Sequence, residues 1–84
     1  FEGGYHGDTF GAMSVGQKSG YYEPFQKLFF KVYSIPYPDT WETDPDIEEK
    51  EEKSIITLKK YLDAHHKNIV AFIAEPLIQG ASGM

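Results

Sequence analysis

Two short segments of the sequence carry residue types that can do chemistry. The first, residues 3–9, is a glycine-bracketed loop that contains Tyr5, His6 and Asp8. Such a loop ahead of a helix can hold a phosphate, but this one lacks the lysine and the glycine spacing of nucleotide-binding loops. Tyr5 can stack on a flat ligand or pack as a half-buried loop aromatic. His6 and Asp8 are an acid–base candidate, although side chains two apart in a loop often point in different directions.

The second segment, residues 75–83, follows an apolar run and contains Glu75, Gln79 and two glycines. Glu75 is either a functional carboxylate at the end of a strand or a surface carboxylate. His65 and His66 resemble a metal site only superficially, because adjacent helical residues point about 100° apart. We expect a solvated pair there, and the sequence predicts no metal site.

A long helix is predicted over residues 45–66, ahead of the second segment. Asp44 is its expected N-cap and Pro45 its first residue, where the missing N–H costs nothing. Asn68 is a plausible C-cap. The helix carries an apolar stripe formed by Ile55, Leu58 and Leu62.

Two strands and a short helix complete the predicted elements. Residues 69–74 form an apolar, partly β-branched run, and residues 28–35 are rich in aromatic and β-branched residues. A short helix is expected between residues 8 and 16, capped by Asp8 or Thr9. This alternation predicts an α/β fold with a mainly parallel sheet and flanking helices. Ligands bind beyond the carboxyl ends of such strands, where residues 75–83 would lie.

Composition excludes several classes of protein. The 84 residues include no cysteine, so disulfide frameworks and cysteine-based zinc sites are ruled out. The net charge of −5 argues against a nucleic-acid partner. The longest apolar run is too short to cross a membrane.

The sequence has no initiator Met and no basic leader, and it stops after a glycine-rich turn, so we expect an internal fragment of a longer chain.

Both segments resemble class III (subgroup II) aminotransferases. Tyr-His-Gly-Asp-Thr-Phe-Gly-Ala-Met-Ser-Val at residues 5–15 is similar to the family's loop and helix. Ile-Ala-Glu-Pro-Leu-Ile-Gln-Gly-Ala-Ser-Gly-Met at residues 73–84 is similar to its strand ending in Glu-Pro and the turn that follows. The motifs occur in the family's order and at about its separation, and they cover just over a quarter of the chain.

The resemblance implies the type I fold of pyridoxal-phosphate enzymes, with residues 1–84 an internal fragment of one cofactor-binding large domain. It also implies a cytoplasmic homodimer. Tyr5 would stack on the pyridine ring and border the substrate, with His6, Gly7 and Glu75 also on the cofactor side. Asp8 and Gln79 would face the substrate. The family's Schiff-base lysine has no counterpart here, so no catalytic residue is assigned and the 84 residues alone should be inactive.

The branch of the family is indicated by two positions. The acetylornithine and ornithine branch has Arg where this chain has Asp8, and Glu where it has Ala81. The chain instead resembles the branch that converts 8-amino-7-oxononanoate to 7,8-diaminononanoate in biotin biosynthesis. S-adenosylmethionine is the expected amino donor, with lysine as the other donor that enzymes of this type use. The alternatives are another class III aminotransferase acting on an ω-amino acid, and a small non-catalytic α/β binding module.

Overall fold

The computed structural model describes residues 1–16 and 19–81. Two α-helices and two 3₁₀ helices occur in this part of the chain. Helix α1 spans Phe10–Val15 and helix α2 spans Ile47–His65. The 3₁₀ helices span Glu23–Leu28 and His66–Asn68. The chain divides into two compact units, of which the first comprises Phe1–Ser34 and Ile73–Met84 and the second comprises Ile35–Phe72.

Helix α1 confirms the predicted short helix and its cap. Thr9 is the N-cap, and its side-chain oxygen accepts a hydrogen bond from the backbone N–H of Ala12 at 3.4 Å. Met13 and Ser14 are the buried residues of the helix. The ring of Phe10 packs against Phe25 of the first 3₁₀ helix, with centroids 6.1 Å apart.

Helix α2 confirms the predicted long helix, but its start is two residues later than expected. Asp46 is the N-cap, and the side chain of Asp44 accepts a hydrogen bond from the backbone N–H of Asp46 at 2.9 Å. Asp44 thus forms the turn that precedes the helix instead of capping its first turn. The helix ends at His65, and a 3₁₀ turn continues the chain to Asn68, so Asn68 is not the C-cap.

The structure does not confirm the predicted sheet, because residues 1–16 and 19–81 contain no strand. Leu28 ends a 3₁₀ helix, which corrects the start of the first predicted strand. Phe29 and Ile69 have extended backbones, but no strand pairing accompanies them in the described residues. A strand is defined by hydrogen bonds to a neighbour, and a run of apolar residues cannot supply that neighbour itself.

The apolar stripe of α2 is largely open to solvent. Ile55 is 51% exposed and Leu62 is 39% exposed, whereas Ser54 is buried. The hydroxyl of Ser54 donates to the carbonyl oxygen of Pro36 at 2.6 Å, which fixes the approach of the preceding segment to the helix. Ile35, next to Pro36, is the buried apolar residue of this unit.

Candidate functional site

The glycine loop at residues 3–9 has two positions whose backbone conformation only glycine adopts readily. Gly3 has φ +78° and Gly7 has φ +115°, both in the left-handed region. Between them, the N–H of Gly4 donates to the carbonyl oxygen of Phe1 at 3.3 Å and closes a turn. The loop ends at Thr9, the cap of α1, so its side chains are presented just before a helix N-terminus.

Glu75 ties this loop to the second motif. One carboxylate oxygen accepts the backbone N–H of Tyr5 at 3.3 Å, and the other accepts the backbone N–H of Gly80 at 2.9 Å. The hydrogen bond from Gly80 and then that from Tyr5 hold the pKa of Glu75 below its usual 4.5, although burial works in the opposite direction. The two sequence motifs, 70 residues apart, therefore meet at one carboxylate.

Gln79 makes a second connection between the same two segments. Its side chain is 5% exposed, and its amide N–H donates to the carbonyl oxygen of Glu2 at 2.7 Å. A Cβ atom on Gly3 would lie 2.8 Å from the amide oxygen of Gln79, a distance that requires one of them to shift. The amide nitrogen of Gln79 is thus bonded within the protein, and its role toward the substrate stays a prediction.

Tyr5 and Asp8 share a hydrogen bond at the open side of the loop. The hydroxyl of Tyr5 donates to one oxygen of Asp8 at 2.9 Å, and the ring of Tyr5 is 46% exposed. The hydroxyl of Tyr22 donates to the other oxygen of Asp8 at 3.2 Å. The hydrogen bond from Tyr5 to Asp8 and the negative charge of Asp8 raise the pKa of Tyr5 above its usual value.

The acid–base pairing of His6 with Asp8 is wrong, because Asp8 is bonded to the two tyrosines instead. The Nε2 atom of His6 is buried and has no hydrogen-bond partner. It lies 3.1 Å from the position that a Cβ on Gly4 would occupy. A buried ring nitrogen without a partner is costly, so this atom is a candidate contact for a bound group.

Sequence reasoning missed Tyr22. The residue is 14 positions from Asp8 and precedes a 3₁₀ helix whose first residues are Glu23 and Pro24. The Glu-Pro pair is a local signal for the start of a helix, but no spacing rule connects the residue before it to the glycine loop. Only the packing of the helices brings the two together.

The sequence predicts neither a metal site nor a segment that crosses a membrane. In residues 1–16 and 19–81 no group of three or more His, Cys, Asp or Glu side chains is arranged to hold a metal ion. His66 directs Nδ1 to the carbonyl oxygen of Leu62 at 3.2 Å. Among the described helices, none combines the length and the apolar character that a membrane crossing needs. Residues 82–84, which complete the second motif, lie outside the described residues.

Tyr5, His6 and Gly7 each have a feature that suits a flat, ring-shaped cofactor. Tyr5 offers a half-exposed ring, His6 offers a buried nitrogen without a partner, and Gly7 has no side chain to obstruct the approach. Glu75 is different, because both of its oxygens are used by backbone N–H groups. Glu75 therefore positions the loop, and its role on the cofactor side stays a prediction.

Comparison with known proteins places these residues in a family. The sequence profile described as aminotransferase class III matches residues 1–84. An adenosylmethionine-8-amino-7-oxononanoate aminotransferase of Synechococcus elongatus is 51% identical over the whole chain, which covers 19% of that protein. Proteins of the same name from Helicobacter pylori and Staphylococcus aureus are 42% and 38% identical, over 95% and 96% of this chain and 17% and 18% of theirs. The chain thus spans about a fifth of the length of these relatives. No solved structure matches it.

Proposed function

Because the chain belongs to the aminotransferase class III family, we propose that it supplies part of the cofactor-binding large domain of a pyridoxal-phosphate-dependent aminotransferase. The family implies the type I fold for that domain. The observation that carries the proposal is Glu75, whose two oxygens join the loop at Tyr5 to the turn at Gly80. This contact unites the two segments that resemble the family.

We propose that the reaction is the conversion of 8-amino-7-oxononanoate to 7,8-diaminononanoate in biotin biosynthesis, with S-adenosylmethionine as amino donor. Its support is the name shared by relatives that are 38–51% identical to this chain. Asp8 and Ala81 also separate the chain from the acetylornithine and ornithine branch.

Tyr5, His6 and Gly7 are the residues that would hold the cofactor. When bound, pyridoxal phosphate supplies an electron sink for the carbon that loses or gains the amino group. The half-exposed ring of Tyr5 covers a flat ring without adding charge, and such stacking adds about 0.5–1.5 kcal/mol beyond area burial. His6 would gain a partner for its buried Nε2.

Asp8 would serve the substrate side, where its carboxylate fixes the hydroxyl of Tyr5 at 2.9 Å. Glu75 and Gln79 would act through the backbone of the loop, by holding Tyr5 and Glu2 in place. In this arrangement the glycine loop binds and orients the cofactor and the substrate, and the turn at residues 75–81 fixes the position of the loop.

The proposal also includes a homodimer in the cytoplasm. It further includes two small-molecule substrates, one amino donor and one keto acceptor. They rest on the family resemblance alone. Neither a membrane nor a nucleic acid takes part in the proposed reaction.

The test is an assay of the purified full-length enzyme. We expect a cofactor absorbance band, and mass-detected 7,8-diaminononanoate when 8-amino-7-oxononanoate is supplied with S-adenosylmethionine. Replacing S-adenosylmethionine by lysine decides between the two donors. An ω-amino acid such as 4-aminobutanoate, tested with a simple keto acid, is the matched comparison. Turnover of that pair alone would overturn the proposed substrate, and absence of both cofactor and turnover would overturn the enzyme assignment.

A further inference from the structure

Residues 28–35, with the sequence Leu-Phe-Phe-Lys-Val-Tyr-Ser-Ile, form an apolar and aromatic run that contains one charged residue, Lys31. Most of its residue types favour extended structure, and it has neither proline nor glycine to interrupt a strand. Phe29 has an extended backbone, and no strand in residues 1–16 and 19–81 pairs with the run. A run of this composition can pair with an identical run of another chain.

Two contacts show that the side chains of this run alternate between two faces, as those of an extended chain do. The ammonium group of Lys31 lies 5.1 Å from the centre of the Tyr33 ring, so these two residues share a face. The Phe30 ring belongs to the other face and approaches helix α1, where a Cβ atom on Gly11 would lie 3.7 Å from its Cε1 atom. Lys31 is exposed and Phe30 is 58% exposed, so another chain can reach both faces.

Pairing of this run with the same run of a second chain, in register, would place each side chain beside its own counterpart. The aromatic rings of Phe29, Phe30 and Tyr33 would then stack on identical rings, with strands about 4.8 Å apart. The same register places the two Lys31 ammonium groups beside each other, and the run has no acid to offset them. Like charges directly opposite destabilise a strand pair. Lys31 therefore opposes the pairing that its neighbours favour.

We propose that Lys31 is a gatekeeper, a charged residue that keeps the run at 28–35 from pairing with the same run of a second copy of this chain before the protein has folded. The partner that the run fits is thus a second copy, and the charge of Lys31 makes that interaction unfavourable. The gatekeeper role concerns unfolded and partly folded chains, so it stands or falls independently of the proposed function.

The second apolar run, at 69–74, provides a comparison within the chain. It contains no charged residue, and the nearest charges are those of Lys67 and Glu75 outside it. Val70 is fully exposed and Phe72 is 60% exposed. If two copies paired through this run instead, a change at Lys31 would have no effect on their association.

The first test dilutes the full-length protein from urea and follows light scattering. Lys31→Met keeps the length of the side chain and removes the charge. We expect it to raise the initial aggregation rate about 2- to 5-fold, the factor that corresponds to the loss of one like-charge pair. Lys31→Glu restores repulsion between copies with the opposite sign, so its rate should not exceed that of the wild type. Because every variant starts unfolded, differences in native stability do not enter the initial rate.

Lys60 supplies the matched controls, since it is exposed in helix α2 and lies outside both runs. Lys60→Met and Lys60→Glu change the net charge by the same amounts and should leave the rate at the wild-type value. Equal rates for Lys31→Met and wild type would overturn the proposal. A rate for Lys31→Glu as high as that for Lys31→Met would also overturn it, because repulsion between copies would then have no part.

The second test uses salt to remove the repulsion. The screening length falls from about 10 Å at 0.1 M to about 3 Å at 1 M salt, which is shorter than the distance between neighbouring strands. The excess aggregation rate of Lys31→Met over wild type should therefore shrink at 1 M salt. An excess of the same size at both salt concentrations would contradict a role for charge.

The third test locates the pairing segment. Hydrogen exchange with mass spectrometry on the aggregates of full-length Lys31→Met should show protected amides at residues 28–35. Protection at 69–74 with rapid exchange at 28–35 would overturn the proposal, because the copies would then pair through the other run.

Discussion

Each of the two compact units is stabilised internally by hydrogen bonds of a different range along the sequence. In the unit of Phe1–Ser34 and Ile73–Met84, the deciding hydrogen bonds join residues 70 and 77 positions apart, through Glu75 and Gln79. In the unit of Ile35–Phe72, the hydrogen bonds of Asp44, Lys50 and Ser54 span 2 to 18 positions and lie around helix α2. The candidate chemistry lies in the first unit and the regular structure in the second. Functional geometry here depends on distant contacts, and regular structure depends on near ones.

Lys50 shows how local the second unit is. Its ammonium group lies 2.6 Å from a carboxylate oxygen of the buried Asp44, donates to the carbonyl oxygen of Asp39 at 2.8 Å, and sits 4.3 Å from the centre of the Trp41 ring. Burial opposes ionisation of Asp44, but the hydrogen bond from Lys50, with that from Asp46, holds its pKa below the usual 3.8. One lysine thus closes the turn that starts α2.

The largest effect is expected from Glu75→Gln in the full-length enzyme. An amide offers one acceptor oxygen, so Tyr5 and Gly80 can no longer both bond to it, and the glycine loop moves relative to the turn. We expect kcat/KM to fall about 100-fold, the scale of a misplacement of about 1 Å at a site. The control is Glu23→Gln, an exposed glutamate of the same unit, which should have no effect.

The same pair of variants gives a prediction for pH. The pKa of Glu75 is lowered in the folded chain, so its stabilisation is complete above its usual 4.5 and is lost as the pH falls through the folded-state value. The gap in thermal stability between wild type and Glu75→Gln should therefore close on acidification below about 4.5. A gap that stays constant down to pH 2 would contradict the bridging role of the carboxylate.

A smaller effect is expected from Gly3→Ala. The residue has φ +78°, and the new Cβ would lie 2.8 Å from the amide oxygen of Gln79. Together these cost about 1–3 kcal/mol of stability. Denaturant titration of the full chain measures the loss, with Gly20→Ala as the control because nothing lies within 4 Å of its Cβ position. An equal loss in both variants would mean that the contact with Gln79 has no part in the unit.

Lys50→Met should loosen the start of α2 without affecting the glycine loop. Asp44 would lose its ion pair with Lys50 and part of the lowering of its pKa. We expect the amide hydrogens of residues 46–50 to exchange about fivefold faster, as the loss of roughly one hydrogen bond implies. Lys53→Met, in the same helix and exposed, should leave the exchange unchanged. Faster exchange in the loop at residues 3–9 would break the distinction between the units.

The smallest effect is expected from Ser54→Ala. Loss of the hydrogen bond to Pro36 lowers the free energy of unfolding by about 1 kcal/mol, and the higher helix propensity of alanine offsets about half of that loss. The net loss in thermal or denaturant stability should be about 0.5 kcal/mol. Thr57→Ala is the control, because the hydroxyl of Thr57 bonds only within the helix, to the carbonyl oxygen of Lys53. A larger loss for Thr57→Ala would show that the link to Pro36 is unimportant.

The sequence predicted what local chemistry decides. Helix α2 follows from its apolar repeat and acidic first turn, and α1 follows from Thr9. The predicted strands at 28–35 and 69–74 are not confirmed, because a strand needs hydrogen bonds to a neighbouring strand and its own sequence does not specify that neighbour. Tyr5, Asp8, Glu75 and Gln79 could be singled out by resemblance, and the structure brings them into one unit. Their roles toward cofactor and substrate stay predictions.

Two contacts of the site could not be predicted from the spacing of residues in the sequence. Asp8 faces two tyrosines and not its near neighbour His6, since a loop turns between residues two apart. Tyr22 reaches Asp8 because a 3₁₀ helix packs on α1 through Phe25 and Phe10. Such contacts depend on the relative placement of elements, which periodicity does not encode.

The 70-residue separation between Tyr5 and Glu75 also sets the time at which this loop can be anchored during synthesis. A ribosome adds about 5–20 residues per second, so the glycine loop exists for about 4–14 s before its carboxylate is made. Helix α2, whose contacts are local, needs only microseconds once its residues are available. Closing a loop of this length also costs about 2.5 kcal/mol more than closing one helical turn. The glycine loop is consequently synthesised before helix α2 but acquires its contact with Glu75 only after α2 can form.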